Sequence, residues 1–145
     1  MPSEQAFWDF SLALYDMPGV KDACLVAQDH HGADVNLLLL LAWHDRAGLR
    51  VSDDLMDQLV AVSQHWRQHC LAPHRARRRA AKGTEVYATL LKEELALERE
   101  AQAALLSILG ATAPDDMPSN TRRYLTRLSA PEELLTPLLA AIRRA

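Results

Sequence analysis

Arginines are the residues of this chain best equipped for chemistry. The segment His74-Arg-Ala-Arg-Arg-Arg-Ala-Ala-Lys82 is the centre of a stretch, residues 64–83, that carries six positive charges and no carboxylate. The whole protein has a net charge of −3, so the remainder stands at −9. Guanidinium groups are rigid forks that match carboxylate or phosphate oxygens two at a time. At about 3.6 residues per turn, Arg75, Arg78, Arg79 and Lys82 share one helical face, whereas Arg77 points elsewhere. With Arg67 just upstream, these residues predict a docking face for an acidic protein or a phosphate-bearing surface, including RNA or a ribosome-like particle. The plainer expectation is a solvated helix that pairs with the protein's own surplus of Glu and Asp. RNA is the weaker partner, because the protein is acidic overall and no aromatic residues interleave the arginines for base stacking.

A second polar cluster lies at Gln28-Asp29-His30-His31-Gly32-Ala33-Asp34-Val35-Asn36, immediately before a Leu-rich tract. Its simplest role is helix capping and buried hydrogen bonding at a corner. Its functional reading is the floor of a pocket for an anionic small molecule, built from Gln28, Asp29, His30, Asp34 and Asn36. His30 or His31 would then titrate near neutrality as an acid or base. No nucleophile faces them in the pattern, so no catalytic residue is assigned.

Two weaker signals have structural explanations. His65 and His69 share a helix face, and Cys70 and His74 follow. Zinc accepts such ligands, but a third ligand at a familiar spacing is missing and the surroundings are positive. No metal is expected. Asp53-Asp54-Leu-Met-Asp57 resembles the DDxxD string of helical prenyl-transfer enzymes, which hold magnesium diphosphate. Those enzymes are about twice as long and need a second metal-binding helix, so helix capping is the expected role of these carboxylates. No phosphate-binding loop, dinucleotide fingerprint or nucleophile elbow occurs, and no cofactor is expected.

The elements that must position these residues are helices. Five Gly and seven Pro in 145 residues leave few turns for a β fold, and a 49% hydrophobic, 24% charged composition is that of one globular domain spanning 1–145. Ser3 should cap a first helix ending near Met17, with a stripe at positions 7, 8, 11, 14 and 15 that is apolar except for Ser11. Pro18 can open a second helix, ended by Gly32. Asp34 should cap a third, whose Leu37–Trp43 tract is apolar on every side and predicts a central post. Ser52 should cap a fourth, with Pro73 interrupting it before a short basic helix to Lys82. Thr84 should cap the longest helix, running to about Leu109. Its apolar stripe includes Leu91 and Leu95, and Glu94 and Glu98 belong to its opposite side. An exposed part of that stripe could support self-association. Residues 110–118 read as a loop, 119–128 as a short helix, and Ser129-Ala-Pro-Glu132 as a capping box opening the last helix. The fold expected is an all-α bundle of about six to eight helices around a buried apolar helix. Trp8, Trp43 and Trp66 fall on apolar stripes and should pack in the core.

The longest apolar run is far short of the roughly 20 residues that span a membrane. With no secretory leader pattern and only two cysteines, Cys24 and Cys70, the cytoplasm is the expected compartment. The oligomeric state is open.

The N-terminal pattern is Phe7-Trp8-Asp-Phe10-Ser-Leu-Ala-Leu-Tyr15, Pro18-Gly19-Val20, Ala23-Cys24-Leu25, Gln28-Asp29, Gly32 and Asp34-Val35-Asn36-Leu-Leu-Leu. This pattern resembles the bacterial DUF2390 family. The Trp66-Arg67 pair and the Arg-rich segment after Pro73 fit the same pattern. Ala27 departs from it, standing where the family carries a larger aliphatic residue. The resemblance covers about the first 80 residues and implies a bacterial cytoplasmic protein, without supplying a reaction. The leading expectation is therefore a non-catalytic interaction module using the basic face. The alternative is a binder or enzyme with a pocket at the corner between the second and third helices.

Overall fold

The computed structural model describes residues 3–110 and 112–145. Among the described residues the chain forms eight α-helices: α1 (Glu4–Tyr15), α2 (Val20–His31), α3 (Val35–Ala47), α4 (Asp53–Trp66), α5 (Ala72–Ala80), α6 (Tyr87–Ile108), α7 (Asn120–Arg127) and α8 (Leu135–Arg144). Two short strands, β1 (Leu49–Arg50) and β2 (Ala113–Pro114), pair antiparallel and tie residues 113–114 to the end of α3; residue 111 of the loop expected over 110–118 lies outside the described residues. No described helix is long and apolar enough to cross a membrane.

The architecture is a bundle around α3. Every residue from Asn36 to Ala42 is buried, and α3 packs against α1, α2, α4, α6, α7 and α8. Its start is set by Asp34, whose side chain accepts the Leu37 N–H at 3.2 Å; Gly48, at φ 72°, ends it. The caps at Ser3 and Ser52 form as the sequence predicts, each hydroxyl accepting a backbone N–H three residues on. Before α2, Gly19 adopts φ 79°, and an added Cβ would stand 3.0 Å from the Cβ of Pro137. That close approach lets α8 pack on α2.

Three boundary expectations are corrected. Pro73 does not break the chain between α4 and α5. A π-helical turn over Arg67–Leu71 joins them into one rod, and Pro73 follows that turn directly, within the first turn of α5. Thr84 does not cap α6; its hydroxyl donates back to the Ala81 carbonyl, and the helix begins three residues later at Tyr87. The Ser129–Glu132 capping box does not form either. Ser129 is left-handed (φ 56°), and a 3-10 turn over Glu132–Leu134 leads into α8.

Of the tryptophans, Trp43 stacks on Phe7 at 5.2 Å between ring centres and borders the core. Trp8 does not: it is half-buried on the outside of α1 with the Arg99 guanidinium 5.0 Å from its ring centre.

Candidate functional site

Helix α6 crosses the molecule between α1 and α5, and a cleft of about 540 Å3 opens where these three helices meet α2 and the start of α3. The burial of its lining increases in steps from mouth to floor. Leu12, Lys21, Arg79, Leu91 and Leu95 are exposed at the mouth; Trp8, Tyr15, Arg75, Arg78, Glu94 and Glu98 are half-buried; Ser11, Asn36, Leu39 and Gln102 are buried.

Helical periodicity explains the arrangement. On α6, Leu91, Leu95, Glu98 and Gln102 fall at i, i+4, i+7 and i+11, a single stripe. On α1, Trp8, Ser11, Leu12 and Tyr15 form the facing stripe. Ser11 and Gln102 of these stripes lie at the floor, and with Glu98 they are joined through Asn36. Gln102 Nε2 donates to Ser11 Oγ and to Asn36 Oδ1, each at 3.1 Å. Asn36 Nδ2 donates to Glu98 Oε2 at 2.8 Å, and Arg75 Nη2 donates to Glu98 Oε1 at 2.6 Å. Ser11 in turn donates to the Phe7 carbonyl at 2.8 Å. The chain therefore runs from the basic helix to the core without a break, except at one atom: Gln102 Oε1 is buried and accepts nothing.

The basic segment is divided by this geometry. Arg75 and Arg78 turn inward and bind Glu98 and Glu94, the latter at 2.8 Å. These pairs are less than one-fifth exposed, and the Glu94 carboxylate is the main cause that raises the Arg78 guanidinium above its ordinary pKa. Arg67 donates to the Gly32 and Gln28 carbonyls and fastens the end of α2. Three of the five predicted docking residues are thus engaged inside the molecule, and the continuous face of Arg75, Arg78, Arg79 and Lys82 does not present itself outward as a unit. Glu94 and Glu98, assigned by sequence to a solvent side, face the cleft instead. Arg77, Arg79 and Lys82 are exposed and form no ion pair among the described residues. The cleft lining carries Lys21, Arg75, Arg78 and Arg79 against Glu94 and Glu98, a surplus of two positive charges.

The predicted corner pocket is also redrawn. Of its five residues, only Gln28 and Asn36 line the cleft. Asp29 and His30 are exposed on the far end of α2. Asp34 is buried as the cap of α3, and its backbone N–H donates to the Tyr124 hydroxyl at 2.9 Å. Burial pushes its carboxyl up to about 6, despite the opposing Leu37 N–H, while burial pushes the Tyr124 hydroxyl up to about 12. Ser11 and Gln102 were missed as floor residues. The available signal was a polar side chain inside an otherwise apolar stripe.

The remaining sequence candidates fall outside the cleft. The His65 and His69 rings lie 4.7 Å apart, tilted by 42°, and no group of three metal-binding side chains gathers among the described residues. His74 is buried, its Nε2 donating to the Leu90 carbonyl at 2.8 Å. Asp53 pairs with Arg123 at 2.6 Å and Asp57 with Arg127 at 2.5 Å, so two carboxylates of the DDxxD string face α7 arginines. The Arg123 guanidinium beside Asp53 lowers its carboxyl pKa.

A search of the curated proteins and one of the solved structures found no match. A family model described as a protein of unknown function, DUF2390, matches residues 6–105, which include nearly all of α1, all of α2 to α5 and most of α6, and with them the whole cleft. The chain belongs to the DUF2390 family.

Proposed function

We propose that this protein is a ligand-binding domain that takes a small organic anion in the cleft between α1, α5 and α6. The observation that carries the reading is the surplus of two positive charges on a concave wall of about 540 Å3. Ordinary small-molecule pockets occupy roughly 300–1,000 Å3 and combine apolar walls with a few placed polar groups. Arg75 and Arg78 are held in position by their glutamates, so little side-chain freedom is lost when a ligand approaches. Arg79 and Lys21 bring uncompensated charge at the mouth. The reading keeps the anionic ligand expected from sequence and moves its site from the α2–α3 corner to the neighbouring cleft. Two unpaired cysteines agree with a reducing compartment such as the bacterial cytoplasm.

Thermal-shift measurements with a panel of organic anions test it. A ligand present at 100 times its Kd adds about 2.7 kcal/mol of stability. Arg79→Gln, an exposed change, should weaken the same ligand about fivefold, roughly the loss of one charged contact. A panel that raises stability equally in both proteins would place binding elsewhere.

A second reading has its own observation. Arg77, Arg79 and Lys82 are exposed around the C-terminal end of α5 and without ion pairs among the described residues, and this cationic end, rather than one helix face, can meet an acidic protein or a phosphate-bearing surface. Arg77→Glu with Lys82→Glu tests that end without altering a cleft-lining residue. Loss of a crosslinked partner in the double variant favours docking, and retention removes this reading.

A further inference from the structure

We infer that the ligand of the cleft is an amphipathic organic anion: a single charged head at the mouth, an aliphatic body, and a hydrogen-bond donor at the end that reaches the floor. The inference rests on the anion-binding reading above and adds the class of molecule.

Three features set the three parts. The head follows from Arg79 and Lys21, the two exposed cations of the lining. The body follows from two apolar rows on opposing walls. Trp8 and Leu12 lie one turn apart on α1, and Leu91 and Leu95 lie one turn apart on α6. Leu12 is 51% exposed and Leu95 56%, a large apolar surface left in water on both sides of one concavity. An inorganic anion would leave it uncovered, whereas an alkyl chain removes it from water at about 25 cal/mol per Å2. The donor follows from Gln102, which is 3% exposed, lines the cleft and has an Oε1 with no partner. Its amide nitrogen is already committed to Ser11 and Asn36, so rotating the amide would break two bonds to satisfy one atom. A buried acceptor left alone is unfavourable, and a ligand O–H or N–H is the group that relieves it.

The length of the cleft along α6 suits a chain of moderate length: Gln102 is eight residues beyond Glu94, so at 1.5 Å rise per residue about 12 Å of helix separates the floor residue from the Arg78–Glu94 pair.

Isothermal titration with ω-hydroxydecanoate, decanoate, decanol and inorganic phosphate tests the assignment. Wild-type protein should bind ω-hydroxydecanoate most tightly. Decanoate should be about threefold to tenfold weaker, the effect of one net hydrogen bond. Decanol, without a charge, should be more than about tenfold weaker, as expected for a lost charge-assisted contact. Gln102→Met should bring the two carboxylates to equal affinity. Leu95→Glu, at an exposed position that leaves folding intact, should weaken both. Arg79→Gln, also exposed, should weaken both carboxylates and leave decanol unchanged, which keeps the test decisive if the Gln102 variant folds poorly.

Binding of phosphate alone overturns the amphipathic class and leaves the anion reading standing. Equal affinity of both carboxylates for wild type overturns the donor at the floor. A concentration-dependent dimer that Leu95→Glu dissociates, with no carboxylate bound, assigns the cleft to a second copy and overturns the inference. Failure of all four probes and of the wider anion panel removes the inference together with the reading on which it rests.

Discussion

Two buried polar clusters lie on opposite flanks of α3, and they are built to different standards. One is centred on Asn120 at the start of α7. Its Oδ1 accepts from the Val51 N–H at 2.9 Å and from Arg123, and its Nδ2 donates to the Leu49 carbonyl at 2.7 Å. Asp45 completes the cluster by accepting the backbone N–H groups of Asn120 and Thr121. The carboxamide of Asn120 is thus used at both ends, and the result joins α3, β1 and α7 as a closed staple. The other cluster, at Gln102, Asn36 and Glu98, leaves an acceptor unused and opens onto a cleft. Fully bonded polar groups rigidify and specify a fold, whereas an unpaired buried acceptor beside a concavity calls for an explanation, and the proposed ligand supplies one. Thr121 Oγ1 is also without a partner, but Thr121 lines neither this cleft nor the small hollow at Trp43 and Leu49. The orphan atom and the concavity are informative together.

The contrast can be broken most forcefully at Asn120. Asn120→Leu strips partners from the Val51 N–H and the Leu49 carbonyl in a fully buried setting, and about 3–5 kcal/mol of stability should vanish in urea unfolding. A loss under 1 kcal/mol would show that the staple holds nothing together.

The link between the two flanks comes next. Asp34 caps α3 and bonds through its backbone to Tyr124 on α7. Its carboxyl is raised by burial from 3.8 to about 6, so the native state holds the proton more tightly than the unfolded chain does. The associated stability is complete below about pH 4 and is lost as pH rises through 6, by about 3 kcal/mol in all. Asp34→Asn caps without titrating. Its stability relative to wild type should therefore be about 3 kcal/mol more favourable at pH 7 than at pH 4, read from paired denaturation curves. A difference that does not change with pH would mean that the carboxylate is not desolvated.

At the cleft, Gln102→Met removes two donated bonds together with the orphan acceptor, and the opposing effects should leave a loss of about 1 kcal/mol. A loss as large as that of Asn120→Leu would erase the distinction between the clusters. The smallest effect is expected at Thr121→Val. A hydroxyl that makes no bond gives way to a methyl of similar shape, and thermal unfolding should show a change within about 0.5 kcal/mol or a slight gain.

Much of the scaffold was readable from residues in order. Ser3, Asp34 and Ser52 cap because their side-chain oxygens are local to the N–H groups they serve, and the Leu37–Leu41 run can only be central. The site was less readable, since its bonds join residues far apart in the chain: Arg75 to Glu98, Asn36 to Glu98, Gln102 to Ser11. Nothing in the sequence near residue 75 says which carboxylate a guanidinium will meet. Charge counting had foreseen that arginines could pair with the protein's own carboxylates, but not that doing so would build the wall of a cleft. Thr84 and the Ser129–Glu132 string failed as caps because the same residue types also suit tight turns, and the turns prevailed.

The π-helical turn at Arg67–Leu71 sets the angular phase of everything after it. Relative to uninterrupted α-helix, it inserts one extra residue, and one residue is about 100° of azimuth. Deleting a single residue between 67 and 71 would leave the rod continuous and its composition nearly unchanged. It would nevertheless swing Arg75 and Arg78 about a quarter-turn away from Glu98 and Glu94. The wide coil thus acts as a phase shifter: it decides whether the same guanidinium groups close a chamber or decorate an open flank.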